Sequence, residues 1–223
     1  MHEDQKRWDG KYLGKTFDPA RTPHPFLRRH LRLLPRGTAL DVAAGEGRNA
    51  VFLAEHGFKV EAVDISPVGL RRARMLARAR GVKIKTTRAN LAEYPLERDH
   101  FDLIIDFYYL DRALVPGIKN ALKTGGRVVF ETYTTDHKRL AGSGPENPDY
   151  LLRPNELLRL FRGFRVLFYR EGIFREGRAR KGIASLIAEK NAPSRSPLPR
   201  TRGRGPGREG LHRRLSGQLW TVL

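Results

Sequence analysis

A glycine-containing turn between an apolar run and a helix-like segment is the feature that most constrains the fold of this chain. An apolar run at 39–42 is followed by Gly45 and Gly47, a helix-like segment 48–56 and a strand-like segment 59–65. Asp64, near the end of that second strand, lies nineteen residues after Gly45. In doubly wound α/β folds a carboxylate meets a ribose hydroxyl at a spacing of roughly twenty. The sequence therefore predicts a nucleotide-binding half-fold.

Two classes of cofactor use such a turn. Residues 45–50 fit the loose dinucleotide pattern Gly-x-Gly-x-x-Gly/Ala, so the glycines alone leave a nicotinamide or flavin cofactor open. Asp41 counts against that interpretation, because its carboxylate stands four residues ahead of Gly45 and would repel a bound pyrophosphate. S-adenosylmethionine carries an amino group and a sulfonium instead of phosphates. A carboxylate at this point would attract it.

The later segments predict the rest of a sheet. A third strand is indicated by alternation at 82–88, a buried central strand by the apolar run 101–107, and a fifth strand by a helix end and glycine turn within 122–131. The apolar segments 164–169 and 183–188 are separated by a polar connection, which suits an antiparallel pair. We therefore predict an α/β fold, a Rossmann-like doubly wound seven-stranded sheet with an antiparallel C-terminal hairpin.

The span from Trp8 to Lys190 resembles the class I S-adenosylmethionine-dependent methyltransferases. Residues 41–47 are similar to their motif I, Asp/Glu-x-Gly-x-Gly-x-Gly, with Ala43 in place of the first glycine. The segment Val63–Ser66, Val-Asp-Ile-Ser, supports the match. The opening Trp8-Asp9-Gly10-Lys11-Tyr12 is similar to the Trp-Asp-x-x-Tyr of the tellurite-resistance-like group, which is the nearest group by this resemblance.

The resemblance implies S-adenosylmethionine as cofactor and assigns roles to individual residues. Gly45 and Gly47 would line its methionine part, Asp64 would accept hydrogen bonds from both ribose hydroxyls, and Ile65 would pack on adenine. Asn90 stands where the family usually has an aspartate that reads the adenine amino group, and an amide oxygen can still accept that bond. The predicted cofactor-binding residues are Asp41, Ala43, Gly45, Gly47, Asp64, Ile65, Asn90, Leu91 and Asp106.

Two of these carboxylates also have a structural interpretation. Asp64 precedes Ser66 and Pro67, a pair typical of the start of a helix, so it could belong to a helix cap region only. Asp106 could contact the cofactor or simply end its strand.

The predicted activity is methyl transfer to a small-molecule acceptor, such as a metabolite or a soft thiol- or metalloid-type compound. Tyr108, Tyr109 and Arg112 follow the fourth strand, and the candidate acceptor-side residues are Tyr109, Arg112, Tyr133 and Tyr12. Tyr109 could serve as a general base or be only a packed ring. Residues 106–109 lack both prolines of the Asp-Pro-Pro-Tyr signature, which argues against methylation of adenine or glutamine nitrogen. The sequence identifies no catalytic residue.

The charge leaves other functions open. The chain has 43 basic and 24 acidic side chains, for a net charge of +19. A surface of this kind attracts polyanions, so an RNA or ribosomal-RNA methyltransferase is an alternative, with weak electrostatic RNA binding through the basic surface and tail. Aromatic residues are not interleaved with the basic ones, so a solvated basic face is the competing interpretation. A nicotinamide-type cofactor-binding protein without methyl transfer is the third alternative.

The chain consists of two segments with different compositions. Residues 1–190 form the predicted methyltransferase domain, and residues 191–223 form a basic, Pro/Gly/Arg-rich flexible extension. The chain has no cysteine, which excludes disulfides and thiolate metal sites, and its scattered histidines predict no metal site. It has no run of eighteen apolar residues and no signal-peptide pattern, so we expect no membrane partner and a cytoplasmic location. The oligomeric state is not predicted.

Overall fold

A single mixed sheet forms the centre of the computed structural model, which describes residues 2–140, 144–176 and 179–192. Its strands are β1 (Thr38–Val42), β2 (Lys59–Asp64), β3 (Lys85–Arg88), β4 (Phe101–Phe107), β5 (Leu122–Tyr133), β6 (Arg165–Glu176) and β7 (Ala179–Glu189). The strand order is β3-β2-β1-β4-β5-β7-β6. Strands β1 to β5 pair in parallel, whereas β7 is antiparallel to both β5 and β6. The predicted seven-stranded sheet with a C-terminal hairpin is confirmed.

Helices cover both faces of this sheet. They are α1 (His2–Leu13), α2 (Pro25–Arg29), α3 (Arg48–Glu55), α4 (Pro67–Ala79), α5 (Val115–Ala121) and α6 (Glu156–Leu160). Alternate residues of β1 enter opposite cores, with Leu40 and Val42 in the core beneath α5 and Ala39 in the core beneath α2 and α3. A parallel sheet has to be covered on both faces in this way. The continuous apolar runs of the parallel strands follow from burial on both faces of the sheet.

Two elements differ in length from the sequence prediction. β3 begins at Lys85 rather than at residue 82, because Val82 and Ile84 pack against α4 without pairing with β2. The hairpin strands β6 and β7 extend well beyond the predicted apolar segments. The added length is paired through the backbone, as in the Arg175–Arg180 pair, and charged side chains at these positions hide it from an apolar pattern.

The carboxyl ends of β1, β2, β4 and β5 meet at one edge of the sheet. Ligands of open α/β sheets bind at this edge, so the fold brings the predicted site residues together there. Within the described ranges no helix is long and apolar enough to cross a bilayer. The predicted flexible extension lies outside the described residues except for residues 191 and 192, and it stays a prediction.

Candidate functional site

The turn between β1 and α3 has an unusual backbone. Ala43, Gly45 and Gly47 all have positive φ, at 51°, 56° and 76°. Glycine adopts such angles freely, whereas the left-handed conformation costs on the order of 1 kcal/mol for the alanine at position 43. Positive φ at positions 43, 45 and 47 explains why motif I of the methyltransferases has glycine at all three positions. Gly47 also lies so close to α4 that a Cβ on it would be 2.5 Å from the Ala73 side chain.

Asp64 joins this turn to the start of α4. Its carboxylate accepts hydrogen bonds from the backbone N–H groups of Gly45 and Ser66, both at 2.8 Å. The helix cap itself is Ser66, whose hydroxyl accepts the Gly69 N–H at 3.0 Å, and Pro67 is the first helical residue. Burial raises the pKa of Asp64, while the bonds from Ser66 and Gly45 act in the opposite direction. Asp64 is thus an ordered carboxylate beside the turn.

Two more carboxyl groups are buried at the ends of the neighbouring strands. Asp41 on β1 is 2% exposed, and its Oδ2 has no hydrogen-bond partner among the described residues. Burial, with a further contribution from Asp64, raises the pKa of Asp41 to about 8. Asp106 on β4 is 1% exposed, and its pKa is raised well above the ordinary value by burial and then by the nearby Asp41. A cationic ligand group at this edge would relieve both burial costs.

These carboxyl groups do not form a metal site. No group of three or more His, Asp or Glu side chains in the described ranges is arranged to hold a metal ion. The orphaned Asp41 oxygen and the left-handed turn instead fit a ligand that carries an ammonium and a sulfonium, which is the cofactor implied by the sequence resemblance.

The N-terminal helix α1 lies over the turn. Asp9 accepts a hydrogen bond from the Ser66 hydroxyl, and Trp8 stacks on Tyr12 with ring centroids 5.8 Å apart. The Tyr12 hydroxyl reaches Gly45, where a Cβ would lie only 2.6 Å from it. Burial and the nearby Asp64 carboxylate raise the pKa of Tyr12, so its phenol stays protonated. The opening motif therefore contacts motif I directly.

A second N-terminal segment is tied to the same turn by charge and by a buried hydrogen bond. The Glu46 carboxylate pairs with both Arg21 and Arg72, the latter at 2.8 Å. The His24 N–H donates to Asn49 Oδ1 at 2.8 Å, next to the first residue of α3. The segment before α2 is thereby held against the carboxyl edge of the sheet.

The residues predicted to meet adenine lie beside β2 and β3. Ile65 is half-buried, and Leu91 is buried next to a cavity of about 200 Å³ whose lining includes Tyr94 and Leu114. The Asn90 amide is engaged locally, because its Oδ1 accepts the Ala92 N–H at 3.3 Å and its Nδ2 donates to Glu93 at 2.9 Å. The Asn90 oxygen keeps one lone pair for a further donor.

Two candidate acceptor-side residues have fixed structural contacts. The Arg112 guanidinium donates to both oxygens of Glu156, at 2.7 and 3.1 Å, and to the carbonyls of Asp149 and Leu151 at 2.6 and 3.0 Å. Arg112 therefore fastens the 149–156 segment. Tyr109 packs against the apolar core, and burial, with the nearby Asp111, raises the pKa of its phenol. That direction opposes a role as general base and agrees with a packed ring.

Tyr133 at the end of β5 belongs to an aromatic row. Its ring lies 4.9 Å from that of Tyr108 and 4.5 Å from that of His137. His137 is 7% exposed, its Nδ1 accepts the Gly182 N–H at 3.2 Å, and its Nε2 has no partner among the described residues. Tyr12 lies instead over the motif I turn, so the four candidates do not form one group.

Sequence reasoning missed a buried polar cluster on β5 and β7. Glu131 is fully buried and accepts hydrogen bonds from Ser185 Oγ at 2.6 Å, Tyr108 Oη at 3.1 Å and Arg170 Nη2 at 3.3 Å. His24 Nε2 lies 3.3 Å from the same carboxylate. The one available signal was the placement of Glu131 and Ser185 inside otherwise apolar strands, since buried polar groups there need partners.

Part of this chain is similar to known methyltransferases. Residues 39–128 match the family model described as Methyltransferase domain. A curated relative, the ribosomal protein L11 methyltransferase of Thermus thermophilus, is 34% identical over 125 residues, which make up 53% of this chain and 48% of that protein. This chain thus spans about half the length of the curated relative it matches.

Solved structures share the fold. TehB from Haemophilus influenzae has a TM-score of 0.65 at 17% identity, covering 84% of this chain and 67% of that one. A 1,6-didemethyltoxoflavin-N1-methyltransferase from Burkholderia thailandensis has a TM-score of 0.60 at 19% identity, covering 86% and 87%. A third structure comes from work on the conversion of a disulfide bond into a thioacetal group during echinomycin biosynthesis. It has a TM-score of 0.66 at 19% identity, covering 84% of this chain and 93% of that one. TehB is thus one of several similar folds, and the predicted tellurite-resistance-like group is not singled out.

Proposed function

We propose that this chain, in which residues 39–128 match a methyltransferase domain, is a class I S-adenosylmethionine-dependent methyltransferase that transfers a methyl group from that donor to a small-molecule acceptor. The observation that carries the proposal is the convergence of the left-handed turn 43–47 with three ordered or buried carboxyl groups, those of Asp41, Asp64 and Asp106. A dinucleotide would place its phosphates beside these carboxyl groups and would oppose their ionisation. A cationic donor would gain from the same arrangement.

Each part of the site would have a separate task in binding. Gly45 and Gly47 leave room for the methionine part, and Asp41 supplies negative charge near its ammonium. Asp64 would accept hydrogen bonds from the ribose hydroxyls, while Ile65 and Leu91 offer apolar contact to adenine, with Asn90 as a hydrogen-bond acceptor. When bound, S-adenosylmethionine supplies an activated methyl group and a thioether leaving group. The protein then has to orient the acceptor behind that methyl group and to exclude water.

The acceptor region would lie between the ends of β4 and β5, where Tyr108 and Tyr133 stand. Small, planar or soft acceptors suit a half-buried aromatic wall of this kind better than an extended polymer does. The tellurite-resistance-like resemblance favours a soft thiol- or metalloid-type acceptor within that class. The partial match to a ribosomal protein L11 methyltransferase makes a protein acceptor the alternative to include in any screen.

Cofactor titration tests the proposal. Calorimetry with S-adenosylhomocysteine should give saturable binding, whereas the oxidised and reduced nicotinamide dinucleotides should give none. A labelled-methyl screen of metabolite, protein and RNA pools should then transfer label to the metabolite pool. Binding of a nicotinamide dinucleotide in preference to S-adenosylhomocysteine would overturn the assignment.

The raised pKa of Asp41 predicts proton release when the cofactor binds. In the free protein the carboxyl group is mostly protonated at neutral pH, because burial raises its pKa to about 8. The cofactor ammonium favours the carboxylate, so affinity should rise as pH increases towards that value and level off above it. Calorimetry at pH 7 in two buffers with different ionisation enthalpies should give different heats and so measure the proton released.

The same shift predicts the pH dependence of stability in the free protein. A carboxyl group with a raised folded-state pKa contributes stability that is complete below its unfolded pKa and is lost as pH rises through its folded pKa. The Asp41 contribution should therefore decline from about pH 4 to about pH 8 and level off above that, and the cofactor-induced rise in Tm should grow towards about pH 8. Asp41→Asn is the control, since it removes both effects. If the parent protein gave identical heats of cofactor binding in the two buffers, no proton would be released, and the raised pKa assigned to Asp41 would be wrong.

A second candidate function rests on the charge of one sheet edge. Residues 65–92, which form α4 and β3, contain eight arginines and lysines and no acidic residue. Arg71, Arg74 and Arg78 follow one another at helical spacing, and all three are exposed. Lys85 and Arg88 continue the basic surface on the edge strand. We propose an RNA acceptor as the alternative to a small molecule on this observation.

Replacing the three α4 arginines tests the RNA alternative. If this face contacts phosphates, the triple change Arg71→Ala, Arg74→Ala and Arg78→Ala should weaken binding of a generic RNA. Each lost contact should lower the slope of log K against log salt by about 0.7–0.9. A charge-matched control is the triple alanine variant of Arg28, Arg29 and Arg32, which are also exposed. Equal losses in both variants would indicate a general charge effect and remove the specific support for RNA.

A further inference from the structure

We infer that Tyr108 contacts the methyl acceptor and takes the proton that the acceptor loses on methylation. This inference rests on the proposed function and adds a residue and an acceptor chemistry to it. Tyr108 follows β4 immediately, at the edge where β1, β4 and β5 end. It is one residue beyond Phe107, the last residue of β4, and two beyond the buried Asp106. The residue is therefore next to the proposed donor site and also belongs to the Glu131 cluster.

The backbone of Tyr108 is held in a costly conformation. Its φ is 65°, in the left-handed region that large side chains avoid. Its N–H donates to the Glu131 carbonyl at 2.8 Å, which fixes the residue against β5. This turn directs the Tyr108 phenol toward β5 and β7, whereas the neighbouring Tyr109 ring packs into the core. Strain of this kind concentrates at functional sites.

The Tyr108 phenol is the accessible end of a buried hydrogen-bond network. Its hydroxyl donates to Glu131 Oε1 at 3.1 Å and accepts from Lys181 Nζ at 3.1 Å. Glu131 is fully buried and Ser185 with it, whereas Tyr108 and Lys181 are half-buried. A ligand at this edge can thus reach the phenol but not the carboxylate behind it.

His24 acts as a donor in this network. Its Nδ1 accepts the Phe26 N–H at 3.3 Å, so the hydrogen of a neutral ring is assigned to Nε2. That nitrogen lies 3.3 Å from both the Glu131 carboxylate and the Tyr108 hydroxyl. With Nε2 as donor, His24 cannot take a proton from Tyr108. The carboxylate of Glu131, which accepts the hydrogen bond of the phenol at 3.1 Å, can take that proton.

The proton transfer balances without another reactant. The acceptor atom bonds to the methyl carbon with its own electron pair, and the electrons of the sulfur–methyl bond stay on sulfur. The acceptor proton moves to Tyr108 Oη as the phenolic proton moves to Glu131 Oε1. Lys181 holds the hydroxyl in position by donating to it, and it offsets negative charge that develops on oxygen.

The chemistry of the relay selects the acceptor. The relay serves an acceptor that is still protonated at neutral pH and is acidic enough to give up its proton as the methyl group is transferred. Phenols, with a pKa of about 10, and alkyl thiols, with a pKa of about 8.5, meet both conditions, whereas carboxylic acids are already ionised, alcohols are far less acidic, and a neutral amine attacks without first losing a proton. The structure therefore points to an acceptor with a thiol or a phenolic hydroxyl. Such a group fits beside the aromatic row of Tyr108, Tyr133 and His137.

Adjacent tyrosines give a matched pair for the test. The parent protein, Tyr108→Phe and Tyr109→Phe are incubated with methyl-labelled S-adenosylmethionine and a protein-free small-molecule extract. Once a labelled product is identified, kcat, KM and the pH profile are measured for its acceptor, and S-adenosylhomocysteine affinity is measured by calorimetry. We expect Tyr108→Phe to lower kcat by about 10²–10⁴. Its cofactor affinity should equal that of the parent, and Tyr109→Phe should keep a parental kcat.

Glu131→Gln supplies an independent variant that keeps the shape of the buried side chain. It should lower kcat as well and remove from the pH profile the loss of activity at low pH that protonation of the base causes. Mass spectrometry of the product should locate the label on sulfur or on an aryl oxygen. A parental kcat in Tyr108→Phe, or a product methylated on nitrogen or on a carboxylate, would overturn the inference. Absence of any labelled small molecule with the parent protein would contradict the proposed function itself, and the inference with it.

Discussion

Gly45→Val should abolish cofactor binding in a protein that still folds. Gly45 has φ +56°, which a β-branched residue adopts only with strain, and a Cβ there would lie 2.6 Å from the Tyr12 hydroxyl. The branched side chain would also fill the space proposed for the methionine part of the cofactor. Calorimetry with S-adenosylhomocysteine should detect no binding, while far-UV circular dichroism stays close to that of the parent.

Gly57→Val separates backbone strain from loss of the site. Gly57 has φ +86°, but no atom lies within 4 Å of a Cβ at that position, in the turn between α3 and β2. The control should lose stability through strain and still bind the cofactor with parental affinity. Parental affinity in a folded Gly45→Val protein would move the cofactor site away from this turn.

Asp64→Ala should weaken S-adenosylhomocysteine binding by tenfold or more. The estimate comes from the two charge-assisted hydrogen bonds proposed between Asp64 and the ribose, each contributing about 1.5–3 kcal/mol. The Asp64 carboxylate accepts hydrogen bonds from the N–H groups of Gly45 and Ser66, both at 2.8 Å. The substitution removes these two bonds, so the turn becomes less ordered. Both effects act in the same direction on affinity, which calorimetry measures directly.

Asp102→Ala is the matched control for this loss. Asp102 lies near the start of β4, at the opposite edge of the sheet, and accepts hydrogen bonds from Thr38 N, Thr38 Oγ1 and Lys123 Nζ at 2.8–2.9 Å. Removing it should lower Tm and leave affinity unchanged. If Asp64→Ala binds as tightly as the parent, the ribose assignment is wrong.

The sequence predicted the elements that depend on local pattern. The central strand at 101–107 was located to the residue, because a doubly buried strand needs a continuous apolar run. The hairpin was detected only where it is apolar, since the outer parts of β6 and β7 are held by backbone pairing between charged residues such as Arg175 and Arg180. β3 was placed too long, because alternation over 82–88 does not distinguish pairing from packing against α4.

In the candidate site, too, features fixed by local spacing were predictable and features made by distant contacts were not. The turn 43–47 and Asp64 were predictable because their spacing is fixed within one strand–turn–helix unit. The Glu131 cluster depends on contacts across large sequence separations, such as the 84 residues between His24 and Tyr108, and no local pattern encodes them. Nor could sequence choose between Tyr108 and Tyr109. The left-handed backbone of Tyr108 decides which ring leaves the core.

The short outer strand β3 also bears on how copies of this chain behave toward one another. An unpaired strand edge can add a strand from another molecule, which is a common route to aggregation. β3 is only four residues long, and its first and last residues are the exposed cations Lys85 and Arg88. Two such edges repel each other before their backbones can pair. Charge and shortness therefore both oppose the addition of a strand at β3.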